Sequence, residues 1–201
     1  MDAKYITPAV TAFDEQGHVD MEANKRIYDW LIEGGMDGIL ILGSIGEFFA
    51  IPLEEKKKMI QDALDYVNHR VTVYVGTGGT VFEECVELSR FALDRGADGV
   101  MVISPYYFNL PDSSVLNFYD TLAGRLDGPV LLYNFPARTG YDLKPEVVLE
   151  LVRRRTNIVG IKDTVDVMGH TRALIQTVKQ EYPEFMVYSG FDEFFTHNVI
   201  S

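Results

Sequence analysis

The stretch Asn157-Ile158-Val159-Gly160-Ile161-Lys162-Asp163-Thr164 places a lysine at the end of a short apolar run. A continuous Val/Ile run of this length is typical of a parallel strand that is buried on both faces. The lysine at its end has two interpretations. Its stem can pack while the ammonium stays in water, or burial disfavours the charged form and leaves a neutral amine that can act as a nucleophile.

Six further apolar runs of the same kind recur along the chain, about one every 30 residues, which is the length of a βαβ unit. The seven runs predict strands at residues 5–10, 38–43, 72–77, 99–104, 129–134, 158–163 and 186–190. Amphipathic patterns between them predict helices at residues 21–33, 53–68, 81–95, 113–126, 145–155 and 166–181.

A regular alternation of strand and helix indicates either a closed (β/α)8 barrel or an open doubly wound sheet. In both folds, ligands bind at the carboxyl ends of the strands. A closed barrel usually needs about 250 residues, and only seven strands are visible in this chain of 201 residues. If the fold is a barrel, we expect residues 1–201 to be a single barrel domain that lacks its last strand and its C-terminal helices.

Composition excludes several classes of function. The net charge of −12 argues against nucleic acid or an anionic membrane as the main partner. No apolar run reaches the ~18 residues that a membrane span needs, and the N-terminus has no signal-peptide layout, so we expect a cytoplasmic protein. The four histidines lack metal-ligand spacing, and no metal site is expected.

Polar side chains follow the predicted strands. The segments are Gly43-Ser44-Ile45-Gly46-Glu47, Ser104-Pro105-Tyr106-Tyr107, Tyr133-Asn134-Phe135-Pro136-Ala137-Arg138-Thr139-Gly140 and Ser189-Gly190-Phe191-Asp192-Glu193. A phenol near a desolvated amine can shuttle protons, and a guanidinium can clamp a carboxylate. Each of these groups also has a purely structural interpretation. The glycine-rich segment can be a tight turn, the tyrosine can be packed in the core, the arginine can lie on the surface, and the carboxylates can stabilise a helix start.

At these motifs, together with Gly160-Ile161-Lys162-Asp163, the sequence resembles the dihydrodipicolinate synthase / N-acetylneuraminate lyase family of Schiff-base pyruvate aldolases. The resemblance covers essentially the whole chain in order and spacing. It implies an eight-stranded barrel and a homotetramer built as a dimer of dimers. It also implies that no cofactor is needed, because the imine itself is the electron sink.

The resemblance implies a role for each motif. Lys162 would form an imine with C2 of pyruvate or another 2-keto acid, and Tyr133 would shuttle protons. Ser44 would relay those protons together with Tyr107, which comes from the neighbouring subunit in some branches. The residues implied in substrate binding are Ile45, Arg138, Thr164, Gly190, Asp192 and Glu193.

The resemblance does not decide which substrate, among those of the different branches of the family, this chain uses. Ile45 stands where the synthases typically have threonine, whereas Arg138 matches the arginine with which synthases bind aspartate semialdehyde. Gly190, Asp192 and Glu193 match positions that sialic acid lyases use for polyol hydroxyls. We favour reversible cleavage of a 2-keto-3-deoxy sugar acid to pyruvate and an aldehyde, with dihydrodipicolinate synthase as the alternative. An N-acetylneuraminate lyase and a non-catalytic protein that binds a keto acid are further alternatives.

Overall fold

The computed structural model describes residues 4–200, which form two compact units. The first unit contains residues 4–77 and 81–100, and the second contains residues 78–80 and 101–200. The chain passes from the first unit to the second within strand β4 (Gly99–Ile103). The expectation of a single domain over residues 1–201 stays a prediction.

Strands and helices alternate in the first unit. Its elements are β1 (Ile6–Pro8), α1 (Met21–Glu33), β2 (Gly38–Ile41), α2 (Leu53–Val67), β3 (Thr72–Gly76) and α3 (Phe82–Asp94). Both β1 and β3 pair with β2 in parallel. All four residues of β2 are buried, as expected for an apolar strand that is covered on both faces.

The second unit continues the alternation. After β4 its elements are α4 (Asp112–Ala123), β5 (Val130–Asn134), α5 (Pro136–Thr139), α6 (Pro145–Arg154), β6 (Ile158–Asp163), α7 (Met168–Val178), β7 (Met186–Ser189) and α8 (Phe195–Val199). Both β5 and β7 pair with β6 in parallel. The three carboxyl ends therefore lie at one edge of this part of the sheet, which positions the side chains discussed below.

Local signals explain several element ends. Helix α1 begins where predicted because the Asp20 side chain accepts a hydrogen bond from the Ala23 amide at 2.9 Å, a standard N-terminal cap. Helix α6 begins with Pro145 in its first turn, where the missing N–H costs nothing. Strand β1 is shorter than the predicted residues 5–10.

The seven predicted strands are confirmed in the described part of the chain, and the six predicted helices are present with ends that differ by at most three residues. The sequence did not predict the short helices α5 and α8 or the 3-10 turns at Ser44–Gly46, Phe48–Ala50 and Asp192–Phe194. Such turns depend on one or two local hydrogen bonds and carry no hydrophobic period.

Candidate active site

Lys162 and Tyr133 lie side by side on neighbouring strands. The parallel register of β5 and β6 pairs Tyr133 with Lys162, so their side chains lie on the same face of the sheet. The Lys162 Nζ atom lies 4.7 Å from the centroid of the Tyr133 ring. Tyr133 is buried and Lys162 is half-buried. The structure thus brings together the predicted nucleophile and the predicted proton shuttle.

Burial changes the acid–base chemistry of the amine. Desolvation lowers the pKa of Lys162 from 10.5 to about 8. With a pKa of about 8, roughly one amine in ten is neutral at pH 7, whereas fewer than about one in a thousand would be neutral at an ordinary lysine pKa. The neutral amine is the form that attacks a carbonyl carbon, so this lysine is suited to imine formation near neutral pH.

Aromatic packing connects Tyr133 to Arg138. The Tyr133 ring stacks on Phe135 with a centroid distance of 6.0 Å and an interplanar angle of 29°. The Arg138 guanidinium carbon lies 5.8 Å from the centroid of the same Phe135 ring. Arg138 stands on α5 and is exposed, so its N–H groups can reach a carboxylate that approaches from solvent.

Thr164 and Gly190 meet just beyond the ends of β6 and β7. A Cβ atom at Gly190 would lie 2.0 Å from Thr164 Oγ1, so only glycine fits there. Thr164 is 7% exposed, and its buried hydroxyl has no hydrogen-bond partner among residues 4–200. A buried hydroxyl without a partner costs free energy until it finds one.

The two carboxylates after β7 are exposed. Asp192 and Glu193 lie in the 3-10 turn Asp192–Phe194. The turn is held by the Phe194 amide, which donates to the Phe191 carbonyl at 3.2 Å. An edge-to-face contact of the Phe191 and Phe194 rings, 6.1 Å apart, adds to it. The structure therefore presents both carboxylates to solvent.

Tyr107 is held in an uncommon backbone conformation. Its φ angle is 87°, which a bulky side chain rarely adopts and which costs on the order of 1–3 kcal/mol. Its side chain is 85% exposed and makes an edge-to-face contact with Phe108 at 4.9 Å. The structure does not pack it on the Lys162–Tyr133 pair within the chain. The prediction that Tyr107 acts in a neighbouring subunit stays a prediction.

Ser44 and Ile45 belong to the first unit and lie in the 3-10 turn Ser44–Gly46. The turn lies between Leu42 and Glu47, both with a φ of 55°, and the Thr11 hydroxyl holds it by donating to the Gly46 carbonyl at 2.7 Å. The predicted binding of a carboxylate by the amides of this turn stays a prediction.

Two groups near Lys162 were missed by sequence reasoning. Tyr188 on β7 is paired with Lys162 in the parallel register, which places its phenol on the same face of the sheet. Asp163 is almost fully buried and accepts three hydrogen bonds. The sequence signal that could have identified Asp163 is its position at the end of an apolar run. A carboxylate that is buried there needs hydrogen-bond partners.

No metal-binding cluster of three or more His, Cys, Asp or Glu side chains occurs in the described range 4–200. The absence of a metal and of a cofactor stays a prediction. None of the helices within the same residues is long and apolar enough to cross a membrane.

Comparisons with known proteins identify the family of the chain. The sequence model of the dihydrodipicolinate synthetase family matches residues 2–200. The "Putative 2-dehydro-3-deoxy-D-gluconate aldolase YagE" of Escherichia coli K12 is 44% identical over 188 residues, which are 94% of this chain and 62% of that protein. A 4-hydroxy-tetrahydrodipicolinate synthase of Methanoculleus marisnigri is 41% identical over 190 residues, or 93% of this chain and 64% of that one.

A solved structure supports the fold. The crystal structure of YagE in complex with pyruvate superimposes with a TM-score of 0.95 and 42% identity, over 98% of this chain and 66% of that one. The predicted α/β-barrel fold class, represented here by seven strands, is confirmed. The chain spans a little less than two thirds of the length of the curated relatives named above.

Proposed function

The chain belongs to the dihydrodipicolinate synthetase family, and from this premise we propose that it acts as a lysine Schiff-base lyase. The proposed reaction is the reversible aldol cleavage of a 2-keto-3-deoxy sugar acid to pyruvate and an aldehyde. The observation that carries the proposal is the half-buried Lys162 amine, which lies beside the Tyr133 ring with a pKa of about 8.

The proposed chemistry follows from these two groups. The neutral Lys162 amine adds to C2 of the keto acid, and loss of water from the carbinolamine gives a protonated imine. The phenolate of Tyr133 is left when the phenol gives its proton to the departing water of the carbinolamine. The imine accepts the electron pair of the C3–C4 bond as that bond breaks, while this phenolate, acting as general base, takes the proton of the C4 hydroxyl. The aldehyde leaves, the resulting enamine is protonated at C3, and water releases pyruvate and the free amine.

The other proposed roles come from the family resemblance. Ser44 and Tyr107 would relay protons from Tyr133, and the amides of Ser44 and Ile45 would hold the carboxylate of the keto acid. The exposure of Tyr107 supports its contribution to a second copy of the chain, in a proposed homotetramer. Light scattering of the wild type and of Tyr107→Ser tests this, since loss of the aromatic ring should weaken the association.

The sugar-acid substrate is favoured by the two exposed carboxylates after β7. Asp192 and Glu193 can accept hydrogen bonds from the hydroxyl groups of a polyol chain. The name of the relative YagE points to the same substrate class. The structure of YagE was determined in complex with pyruvate.

A second candidate is 4-hydroxy-tetrahydrodipicolinate synthase, which condenses pyruvate with aspartate semialdehyde. Arg138 favours it, because an exposed guanidinium on α5 suits an aldehyde that carries a carboxylate. The relative from Methanoculleus marisnigri carries that name. Both candidates share the Lys162 imine and differ in the aldehyde.

Borohydride reduction in the presence of pyruvate tests the imine. We expect a stable mass increment of one reduced pyruvyl group on Lys162, located by peptide mass spectrometry. Lys162→Arg should show none, because arginine keeps its charge. Lys58→Arg, at an exposed position on α2, is the matched control and should be modified at Lys162 like the wild type. A folded wild-type protein without the increment would refute the proposal.

Substrate assays then separate the two candidates. Pyruvate release from 2-keto-3-deoxygluconate and from sialic acid is compared with condensation of pyruvate and aspartate semialdehyde. We expect turnover with the deoxy sugar acid. Turnover with the semialdehyde alone would replace the preferred substrate with the alternative and leave the imine intact.

A further inference from the structure

Lys162 is followed on β6 by a buried carboxylate that faces the other side of the sheet. Asp163 is 1% exposed. It accepts hydrogen bonds from Asn134 Nδ2 at 2.9 Å and from Thr171 Oγ1 at 2.6 Å. The Nδ1 atom of His170 lies 3.0 Å from Asp163 Oδ2. Since an ionised carboxylate only accepts, this ring nitrogen is the donor.

A second layer of contacts fixes these donors. Asn134 Nδ2 also donates to Asp142 Oδ1 at 2.8 Å, and Asn134 Oδ1 accepts from the Leu143 amide at 3.0 Å. His170 Nε2 lies 3.3 Å from Asp142 Oδ1 but makes no hydrogen bond within residues 4–200. We call Asp163, Asn134, Thr171, His170 and Asp142 the Asp163 network. Burial lowers the pKa of His170, but the Asp163 hydrogen bond and the charges of Asp163 and Asp142 raise it net.

The network joins the elements that carry the reactive pair. Asn134 directly follows Tyr133 on β5, and Asp163 directly follows Lys162 on β6. Successive residues of a strand point to opposite faces. The side-chain bond between Asn134 and Asp163 therefore locks the two strands on the face opposite to the Lys162–Tyr133 contact, while Thr171 ties β6 to helix α7.

We propose that Asp163 is a positioning residue for the Lys162 amine, and that the Asp163 network holds this amine in its partly dehydrated place beside the Tyr133 ring. The inference rests on the proposed function, because a positioned amine has a role only if Lys162 forms an imine. Its physical content, the position and hydration of the Lys162 amine, can be measured without any substrate.

The direction of the effect distinguishes positioning from simple electrostatics. A nearby negative charge stabilises a lysine cation. If Asp163→Asn acted only by removing this charge, it would therefore lower the pKa of Lys162. Loss of positioning acts in the opposite direction. If β6 loosens, the amine gains water and its pKa rises toward that of an exposed lysine. Thr171→Val removes a donor to Asp163 without changing any charge, so it isolates the positioning effect.

The experiment measures the titration of Lys162 by competitive labelling with trace acetic anhydride as a function of pH, followed by peptide mass spectrometry. We expect a wild-type midpoint near pH 8. Asp163→Asn should raise it by about one pH unit, which is a tenfold loss of neutral amine at pH 7, and Thr171→Val should raise it by about half as much.

Tyr119→Phe is the matched control. It removes an equally buried hydroxyl of the same unit, which contacts the Val102 carbonyl and Ser104 Oγ, and it should leave the midpoint unchanged. Circular dichroism establishes that each variant is folded. If Asp163→Asn does not fold, Thr171→Val carries the test.

Four results would overturn the inference. They are a midpoint that stays at the wild-type value in the folded variants, a midpoint that falls, an equal rise in Tyr119→Phe, and a wild-type Lys162 that titrates like an exposed lysine. The proposed function fails separately, when pyruvate and borohydride leave wild-type Lys162 unmodified. A raised midpoint in the variants would support the positioning role in that case as well.

Discussion

Replacing Lys162 by methionine should make the protein more stable at neutral pH. Methionine is unbranched and of similar length, so it can occupy the same space without a charge. The wild type must instead keep an ammonium group in a place that lowers its pKa from 10.5 to about 8. Below pH 8 the lysine is protonated in both the folded and the unfolded chain, and the folded state bears the desolvation cost.

The size of the effect follows from the pKa difference. At about 1.36 kcal/mol for each pKa unit, a fall from 10.5 to about 8 corresponds to roughly 3 kcal/mol. The unfolded chain binds more protons than the folded chain between pH 8 and pH 10.5, so the stability of the wild type rises with pH in this window. The advantage of Lys162→Met should thus be full below pH 8 and shrink as the pH approaches 10.5.

Urea unfolding at pH 7, 8, 9 and 10 measures this difference. We expect Lys162→Met to exceed the wild type by up to about 3 kcal/mol at pH 7, with a smaller difference at each higher pH. Lys58→Met, at an exposed position on α2, is the control and should give a difference that does not change with pH. Equal stabilities of Lys162→Met and wild type at pH 7, or a difference independent of pH, would show that the amine is not desolvated.

Three further predictions concern the surroundings of the amine. Tyr133→Phe should keep the stacking on Phe135 and the borohydride-trapped imine but lower kcat by about 10²–10⁴-fold, because the proton shuttle is lost; a wild-type kcat would contradict this role. Gly190→Ala should destabilise the fold by about 1–3 kcal/mol in urea unfolding, since the new Cβ would lie 2.0 Å from Thr164 Oγ1; an unchanged midpoint would show that the contact relaxes freely. Arg138→Ala should change the free energy of unfolding by less than about 0.5 kcal/mol and leave KM for 2-keto-3-deoxygluconate unchanged, because its side chain is exposed; a raised KM confined to aspartate semialdehyde would favour the synthase.

The strands were the most predictable part of the molecule. Strand β6 begins and ends at the predicted residues, 158 and 163, because a continuous apolar run has few other ways to be buried. Helix α1 was predicted with both ends, and Asp20 caps its start. In these elements the local pattern and the tertiary environment favour the same structure.

The backbone at the candidate site was much less predictable. Leu42, Glu47 and Tyr107 have φ angles of 55°, 55° and 87°, but none is a glycine, so residue type gave no signal for these turns. The Leu42 carbonyl also lies so close to the next strand that a Cβ atom at Gly76 would be 2.0 Å from it. Contacts between residues distant in sequence cannot be obtained from local patterns.

The Asp163 network was missed for the same reason. The sequence showed Asp163 beside the lysine and His170 in a polar segment, but their partnership depends on how α7 packs on β6. The structure places the His170 side chain, 14% exposed, against Asp163. Its polar sequence neighbourhood was therefore a poor guide to its burial, because a helix presents polar and apolar faces in turn.

The two faces of β6 carry groups of opposite kinds, a desolvated amine on one and a hydrogen-bonded carboxylate on the other. On one face, the Lys162 amine costs roughly 3 kcal/mol at neutral pH, from the pKa difference. On the other face, Asp163 makes three side-chain hydrogen bonds. These bonds have to offset the cost of burying the carboxylate itself, so the contribution of Asp163 depends on the intact network. On our proposal, Asp163 matters because this network keeps the neighbouring Lys162 amine in a place that water would otherwise reach.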